Sequence, residues 1–382
     1  MCVMKKVIIF GLSGQDGSIM ADYLLEMGHK VYGVVRHSAS TNDENYRHNL
    51  NNPNFELVSG DITDFSTVCN IVKRIQPDYF INFAAMSFVA ESWNTPVSTF
   101  EIDANGVLHC LEAIRQHKPD CRFYSAGTSE QLSDVEYIPQ DENHKRSAKS
   151  PYGAAKIAAE QLVRVYRHSY GMYAVHGILF NHEGPRRGIQ FVTRKITKGV
   201  AKIKKQLENG ENVTPLELGF LDSERDWSHA KDFVRGVWMM LNQEESLDEK
   251  LTKQIEGLWG KGAKAGAYRS QNFSPEEYVL SSGECHSVRE FVEKAFKVAG
   301  IKGQWIGDGE HEKLITFNHN LSIRGPVTLV KINPKFYRPF EVTKLHGSYE
   351  KIKRDLGWEP EIKFDELVRL MVENDIKLLD KS

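Results

Sequence analysis

Lys6-Val-Ile-Ile-Phe-Gly-Leu-Ser-Gly-Gln-Asp-Gly17 joins an apolar strand to a glycine loop and then to the start of a helix. The run Lys6–Phe10 is short, apolar and β-branched, which suits a strand covered on both faces. Gly11, Gly14 and Gly17 follow with GxxGxxG spacing. Glycines there let the backbone turn tightly and approach a pyrophosphate, while the helix start supplies N–H donors and positive potential. A glycine loop alone is weak evidence, because an ordinary strand–helix turn also satisfies it. The context strengthens it: a strand before, a helix after, and a second strand in the expected place. Gly11, Ser13, Gly14, Gln15, Asp16 and Gly17 are therefore candidate dinucleotide-binding residues.

The same alternation fills the first half of the chain. Val31–Val35, Phe55–Val58, Tyr79–Phe83 and Arg122–Ser125 read as further buried strands. Gly17–Met27, Ser66–Ile75, Val97–His117 and Tyr152–Tyr170 read as helices, the last introduced by Ser150-Pro151. Strand–helix alternation with continuous apolar strands predicts an α/β fold: a Rossmann-type, doubly wound parallel sheet. Arg36 ends the second strand, where a NAD site carries a carboxylate for the ribose 2′-hydroxyl; an Arg suits a 2′-phosphate, so the expected cofactor is NADP. Asp61 and Ile62, after the third strand, are placed for the adenine. Phe83, Ala84 and Ala85, after the fourth, lie where backbone passes the ribose and nicotinamide.

Beyond about Asn181 the pattern loosens, and a smaller α/β substrate-binding domain is expected. The predicted division gives residues 1–180 to the NADP-binding domain, with 221–244 packing back on it, and 181–220 with 245–382 to the substrate domain. Ser246–Asn272, charged and poor in apolar anchors, reads as an exposed insertion, and Thr343–Asp380 as amphipathic helix.

Bulk composition excludes other classes. The 382 residues carry a formal net charge of −2, so no basic field points to nucleic acid or an anionic membrane. No apolar run approaches a membrane span. The five cysteines (Cys2, Cys69, Cys110, Cys121 and Cys285) have neither paired nor zinc-ligand spacing; reduced thiols, a cytoplasmic location and no metal are expected.

Tyr152-Gly-Ala-Ala-Lys156 is a YxxxK pair on one helix face. A Tyr hydroxyl, with a reference pKa of about 10, is a poor base near neutrality. A Lys cation one turn on stabilises the phenolate and favours it. Such pairs occur by chance in many helices; behind a glycine-loop half-domain the pair becomes specific. Thr128 follows the fifth strand. Glu130 is the additional feature. A simple reductase needs no carboxylate there, whereas removal of a proton beside a new ketone does.

These motifs resemble the GDP-mannose 4,6-dehydratase family, within the extended short-chain dehydrogenases. The resemblance rests on GLSGQDGS, GTSE and SPYGAAK, and on Gly177–Gly188, Phe191–Ile196, Arg225–Val234, Ser282–Glu293 and Tyr337–Val342. It spans nearly the whole chain except Ser246–Asn272. The resemblance implies NADP and a GDP-sugar as ligands, and a homodimer or homotetramer. It places Ser87, Glu130, Asn181, Val192, Lys195 and Arg225 around the sugar nucleotide, with Arg338 and Glu341 near its nucleotide end. It adds His182 and Arg187 to the cofactor set; Arg186 and Arg187 stay open between phosphate ligands and structural pairs. The chain also departs from the family pattern. Where relatives usually have GAQSHV it reads Ala84-Ala-Met86-Ser87-Phe88-Val89, and the usual STSELYG is Gly127-Thr-Ser-Glu-Gln-Leu-Ser133.

The resemblance implies an internal redox cycle with loss of water, giving a GDP-4-keto-6-deoxy sugar. Tyr152 would serve as base, Thr128 as orienting hydroxyl, Lys156 as the cation that tunes Tyr152 and binds the nicotinamide ribose, and Glu130 as the C5 base, with Tyr152 and Lys156 also in the cofactor site. The rivals are the same reaction on a GDP-heptose, a nucleotide-sugar epimerase with Glu130 idle, and a catalytically silent NADP-binding protein. Joint retention of Thr128, Glu130, Tyr152 and Lys156 argues against the last.

Overall fold

The computed structural model describes residues 3–36, 43–243, 275–317, 325–337 and 344–380. The predicted insertion at 246–272, Arg338 and Glu341 lie outside the described residues. The chain forms two compact units: the described parts of Met1–Phe180, Ala230–Ser281 and Gly347–Glu359, and those of Asn181–His229, Ser282–His346 and Pro360–Ser382.

The first unit is built on a seven-stranded parallel sheet. Its strands are β1 (Lys6–Phe10), β2 (Lys30–Val35), β3 (Phe55–Ser59), β4 (Tyr79–Asn82), β5 (Arg122–Ala126), β6 (Ala174–Leu179) and β10 (Val279–Leu280), in the order β10-β6-β5-β4-β1-β2-β3. Alternation along β1 shows why its apolar run is continuous. Val7 and Ile9 enter a core with α1 (Gln15–Glu26) and α7 (Ala230–Met240), while Ile8 and Phe10 enter the opposite core with α2 (Phe65–Ile75), α4 (Gly106–His117) and α5 (Pro151–Tyr170). Both faces are covered, as parallel sheets require. The unit is completed by α3 (Pro96–Phe100) and α9 (Glu350–Leu356).

The expected helix at Val97–His117 is not uniform. Between α3 and α4 the residues Glu101–Asn105 form a π turn, with Asp103 buried inside it. Helix α5 has clear boundaries. The Ser150 hydroxyl accepts the Gly153 N–H at 3.1 Å, Pro151 occupies the first turn, and Gly171 ends the helix at φ 64°.

The second unit holds β7 (Asn181–Glu183), β8 (Leu216–Leu218), β9 (Glu224–His229), β11 (Cys285–Ser287), β12 (Gln304–Ile306), β13 (Lys313–Thr316), β14 (Val327–Ile332) and β15 (Lys344–Leu345). Strands β7, β11 and β15 pair with β9, and the others form a sheet in the order β12-β13-β14-β8. Helices α6 (Val192–Glu208), α8 (Val288–Val298) and α10 (Phe364–Asp380) share a core around Ile196, Trp227, Phe291 and Met371.

Two expectations differ from the structure. Thr343–Asp380 is not one helical stretch. It contains β15, then α9 and α10, separated where Gly357 adopts φ 71° and Pro360 follows. The unit boundaries also differ: residues 221–229 fall in the second unit, because β9 pairs with β7 and β11, whereas β10 and α9 fall in the first. Among the described residues no helix is long and apolar enough to cross a membrane.

Candidate active site

In the first unit the loop from β1 to α1 fits close against the loop after β4. Gly11 has φ 82°, and a Cβ there would meet the Phe83 carbonyl carbon at 2.6 Å. A Cβ on Gly17 would stand 2.3 Å from the Gly11 oxygen. Gly14 caps α1 and its N–H donates to Gly11 O at 3.1 Å, so Gln15 and Asp16 open the helix with first-turn N–H groups that no intrahelical acceptor satisfies. The loop is a cradle that any side chain at Gly11 or Gly17 would fill. The Asn45 amide donates to Ser13 O at 3.0 Å and fixes the loop from the far side, a contact the sequence reading missed.

The flanking candidates line up on this edge with different roles. Arg36 is exposed just beyond β2. Asp61 is tied to its own turn, accepting the Thr63 N–H at 2.9 Å and the Thr63 hydroxyl at 2.8 Å. The Ile62 side chain is buried against α4, and its carbonyl oxygen lies 2.9 Å from His109 Nδ1. Phe83 continues β4 by donating to Phe10 O, and Ala84 N–H is held by the Asn82 side chain. Ala85 is half-buried and Ser87 exposed.

The strand β5 ends at Ala126, and Gly127 leads into a short turn, Ser129–Gln131, capped by Thr128. The Thr128 hydroxyl accepts the Glu130 N–H at 3.3 Å, and the Ser133 hydroxyl donates to Glu130 Oε2 at 3.2 Å. Helix α5 begins directly against this turn: a Cβ on Gly153 would lie 2.7 Å from Glu130 O. That close approach brings Tyr152 beside the turn carrying Thr128 and Glu130. Tyr152 is 7% exposed, Thr128 and Glu130 9% each, and Lys156 2%. The four predicted catalytic residues thus come together, largely out of bulk water.

Lys156 Nζ donates to Ala126 O at 2.9 Å and lies 5.7 Å from the Tyr152 ring centroid. Burial pushes its ammonium pKa down, and the carboxylate of Asp103 pulls the other way. Asp103 accepts the Met86 N–H at 2.9 Å through one oxygen; burial raises its pKa, opposed by Lys156. Asp103 was not read from the sequence. Its signal was an acid on the apolar side of a helical stretch.

The remaining candidates belong to the second unit. Asn181 and His182 lie on β7, and Asn181 Oδ1 is buried with no hydrogen-bond partner among the described residues. Arg187 pairs with Glu183 at 3.0 Å and stacks 3.5 Å from the Phe191 ring centroid, so the structural-pair alternative describes its contacts here. Val192 opens α6, half-exposed; one turn on, Lys195 Nζ sits 3.4 Å from the Phe336 ring centroid, its pKa lowered by burial. Arg225 is buried on β9 and donates to Glu224 O.

Known proteins match this arrangement over its whole length. The profile of the GDP-mannose 4,6 dehydratase family covers residues 8–256 and 263–371. The chain is 41% identical to GDP-mannose 4,6-dehydratase of Yersinia enterocolitica, over 98% of this chain and 94% of that protein. It is 40% identical to GDP-mannose 4,6 dehydratase of Drosophila melanogaster, over 99% and 88%. Among solved structures, RMD from Pseudomonas aeruginosa complexed with NADPH superposes with a TM-score of 0.69 at 19% identity, covering 98% of this chain and 100% of that one. With the family profile spanning both units and the two relatives aligned nearly end to end, the chain belongs to the GDP-mannose 4,6-dehydratase family.

Proposed function

We propose that this chain is an NADP-dependent hydro-lyase that converts GDP-mannose to GDP-4-keto-6-deoxymannose. The observation that carries the reading is Glu130: a buried carboxylate on the turn capped by Thr128, held against the first turn of the helix that bears Tyr152. Membership of the family supports the substrate. The glycine cradle at Gly11, Gly14 and Gly17 fits a pyrophosphate, and Arg36 at the end of β2 fits a 2′-phosphate.

Bound NADP would take the C4 hydride and return it at C6. The chain's own residues manage protons and position. Tyr152, as phenolate, takes the O4 proton, and Thr128 holds that oxygen through its hydroxyl. Lys156 supplies a nearby cation that favours the phenolate. Once C4 is a ketone the C5 proton is acidic, and Glu130 removes it; the C6 hydroxyl departs with a proton as water. C5 is reprotonated as C6 becomes a methyl group. Asn181, Val192, Lys195 and Arg225, with Arg338 and Glu341, are proposed to hold the GDP-sugar, and His182 and Arg187 to complete the cofactor site.

A homodimer or homotetramer is proposed on the exposed apolar side chains of Trp93 (45%), Val97 (74%) and Phe100 (43%), a cluster on α3 and the turn before it. The unpaired thiols of Cys69, Cys110, Cys121 and Cys285 support a cytoplasmic location. The test of function is incubation with GDP-mannose in heavy water, followed by NMR. A new C6 methyl with deuterium at C5 is expected. An epimerised sugar with its C6 hydroxyl intact would overturn the dehydratase reading, and turnover of a GDP-heptose alone would reassign the substrate.

A further inference from the structure

Behind the turn that carries Thr128 and Glu130 lies a polar cluster that no step of the reaction uses. At its centre is Gln131, fully buried. The Thr128 N–H donates to Gln131 Oε1 at 2.8 Å, and Gln131 Nε2 donates to Glu160 Oε2 at 2.6 Å. Glu160, also fully buried, is held by Arg146 Nε at 2.9 Å and by Arg164 Nη2 at 2.7 Å. Arg164 and Arg167 in turn grip Glu277, at 2.7 and 3.0 Å. His176 Nε2 stands 3.1 Å from Gln131 Oε1. Because that oxygen accepts, the His176 Nε2 must carry a hydrogen. Burial holds His176 neutral, with its pKa lowered to about 4.

The cluster has a definite polarity. Arg146 and Arg164 both donate to the Glu160 carboxylate. Glu160 therefore fixes the Gln131 amide with its NH2 inward and its oxygen toward Thr128. A side chain at 131 must donate at one end and accept at the other, which neither an apolar residue nor an acid can do. Gly127 belongs to the same device. A Cβ there would lie 2.3 Å from His176 Nε2 and 2.5 Å from Gln131 Oε1. Two of the four departures from the family pattern in this stretch, Gly for Ser at 127 and Gln for Leu at 131, thus belong to one structural change. The space vacated at 127 is where the amide and the imidazole meet.

We propose that Gln131, clamped between Glu160 and the Thr128 N–H over Gly127, is a positioning residue that sets the Thr128 hydroxyl and the Glu130 carboxylate for reaction. It precedes no substrate contact of its own. It acts by fixing the backbone at both ends of the turn that carries the two catalytic groups. The inference rests on the dehydratase reading for its catalytic consequence, but the clamp itself is a property of this chain.

The test uses a near-isosteric exchange, since Gln131→Leu would strand the Thr128 N–H and His176 Nε2 and threaten folding. In Gln131→Glu, two carboxylates would face each other where the amide now bridges, and the side chain swings off the Thr128 N–H. In Gln131→Glu/Glu160→Gln the hydrogen bond is restored with donor and acceptor reversed. Turnover of GDP-mannose is measured well below each variant's Tm, together with KM, NADP affinity and amide hydrogen exchange of the 126–133 backbone. The single variant should lose kcat by about 100-fold, the scale of a small misplacement of reacting groups. KM and NADP affinity should hold, and amide protection at Thr128 should fall. The double variant should recover most of the kcat and the protection. A single variant with lowered Tm but unchanged kcat would overturn the proposal. So would a double variant that regains Tm and protection without regaining kcat. Wild-type protein that forms no methyl product would instead defeat the dehydratase reading, and the clamp would then be decided by exchange alone: unchanged protection in Gln131→Glu refutes it.

Discussion

Tyr152 and Glu130 stand on different elements, and their proposed roles separate by exchanging one atom group in each. Tyr152→Phe leaves no base for O4, so every step should stop: no bound NADPH absorbance, no label at C5, no methyl. Glu130→Gln keeps shape and some hydrogen bonding but cannot take the C5 proton. Substrate should then produce NADPH absorbance on the enzyme with no deuterium at C5 and no methyl; normal labelling in that variant would remove Glu130 from the mechanism. Lys156 offers a third measurement. Its ammonium is disfavoured by burial and supported by the Asp103 carboxylate. Asp103→Asn withdraws that support, so the Lys156 pKa should fall further and the cation be lost at lower pH. The alkaline limb of the kcat profile should move to lower pH, and an unmoved limb would show that Asp103 is not felt at Lys156. At the cofactor, Arg36→Asp should weaken NADP by about 1–3 kcal/mol, the range for a charge-assisted contact, while sparing NAD. Calorimetry giving equal losses for both would deny Arg36 the 2′-phosphate.

At the level of elements, the contact between the start of α5 and the Glu130 turn is the most sensitive junction. Gly153 lies in the YxxxK motif at a position that sequence alone leaves neutral, yet a Cβ there meets Glu130 O at 2.7 Å. Gly153→Ala would normally help a helix by roughly 0.5–1 kcal/mol. Here it should lower kcat more than Tm, because the helix must shift and carries Tyr152 with it. A stabilised variant with full activity would refute that. The same junction shows what could be read from sequence. The strands announced themselves because both sheet faces are covered, and α5 because Ser150-Pro151 and Gly171 mark its ends. The π turn at Glu101–Asn105 was invisible, since its flanks keep helical periodicity and only the buried Asp103 betrays it. The break at Gly357 was overlooked because apolar periodicity resumes in α10 after only a few residues. Gln131 could not be weighed, because its partners Glu160 and His176 come from elements 29 and 45 residues away.

For the molecule as a whole, the candidate cofactor loop and the four proposed catalytic side chains lie in the first unit, and most of the proposed sugar-nucleotide residues in the second. In the second unit Asp375 on α10 ties α6 by an ion pair to Arg194 at 2.8 Å and a hydrogen bond from Thr197 at 2.6 Å. Both charges are more than nine-tenths buried. Asp375→Ala leaves Arg194 buried and uncompensated, which should cost about 3–5 kcal/mol in chemical denaturation. NADP affinity should survive, because the glycine cradle is elsewhere; joint loss of both would contradict the assignment of the cofactor loop to the first unit.

The chain passes between its two units five times, at 180/181, 229/230, 281/282, 346/347 and 359/360. Strand β10 supplies the outer edge of the parallel sheet by pairing Val279 with Ile178, so partners in one ladder are about 100 residues apart in sequence. On the ribosome, β6 emerges long before the strand that covers it. At roughly 5–20 residues per second that edge stays open for about 5–20 s, a largely apolar strand with one side unpaired for that interval. The order of synthesis thus leaves this edge open to mispairing on the nascent chain, a place where a chaperone would be useful.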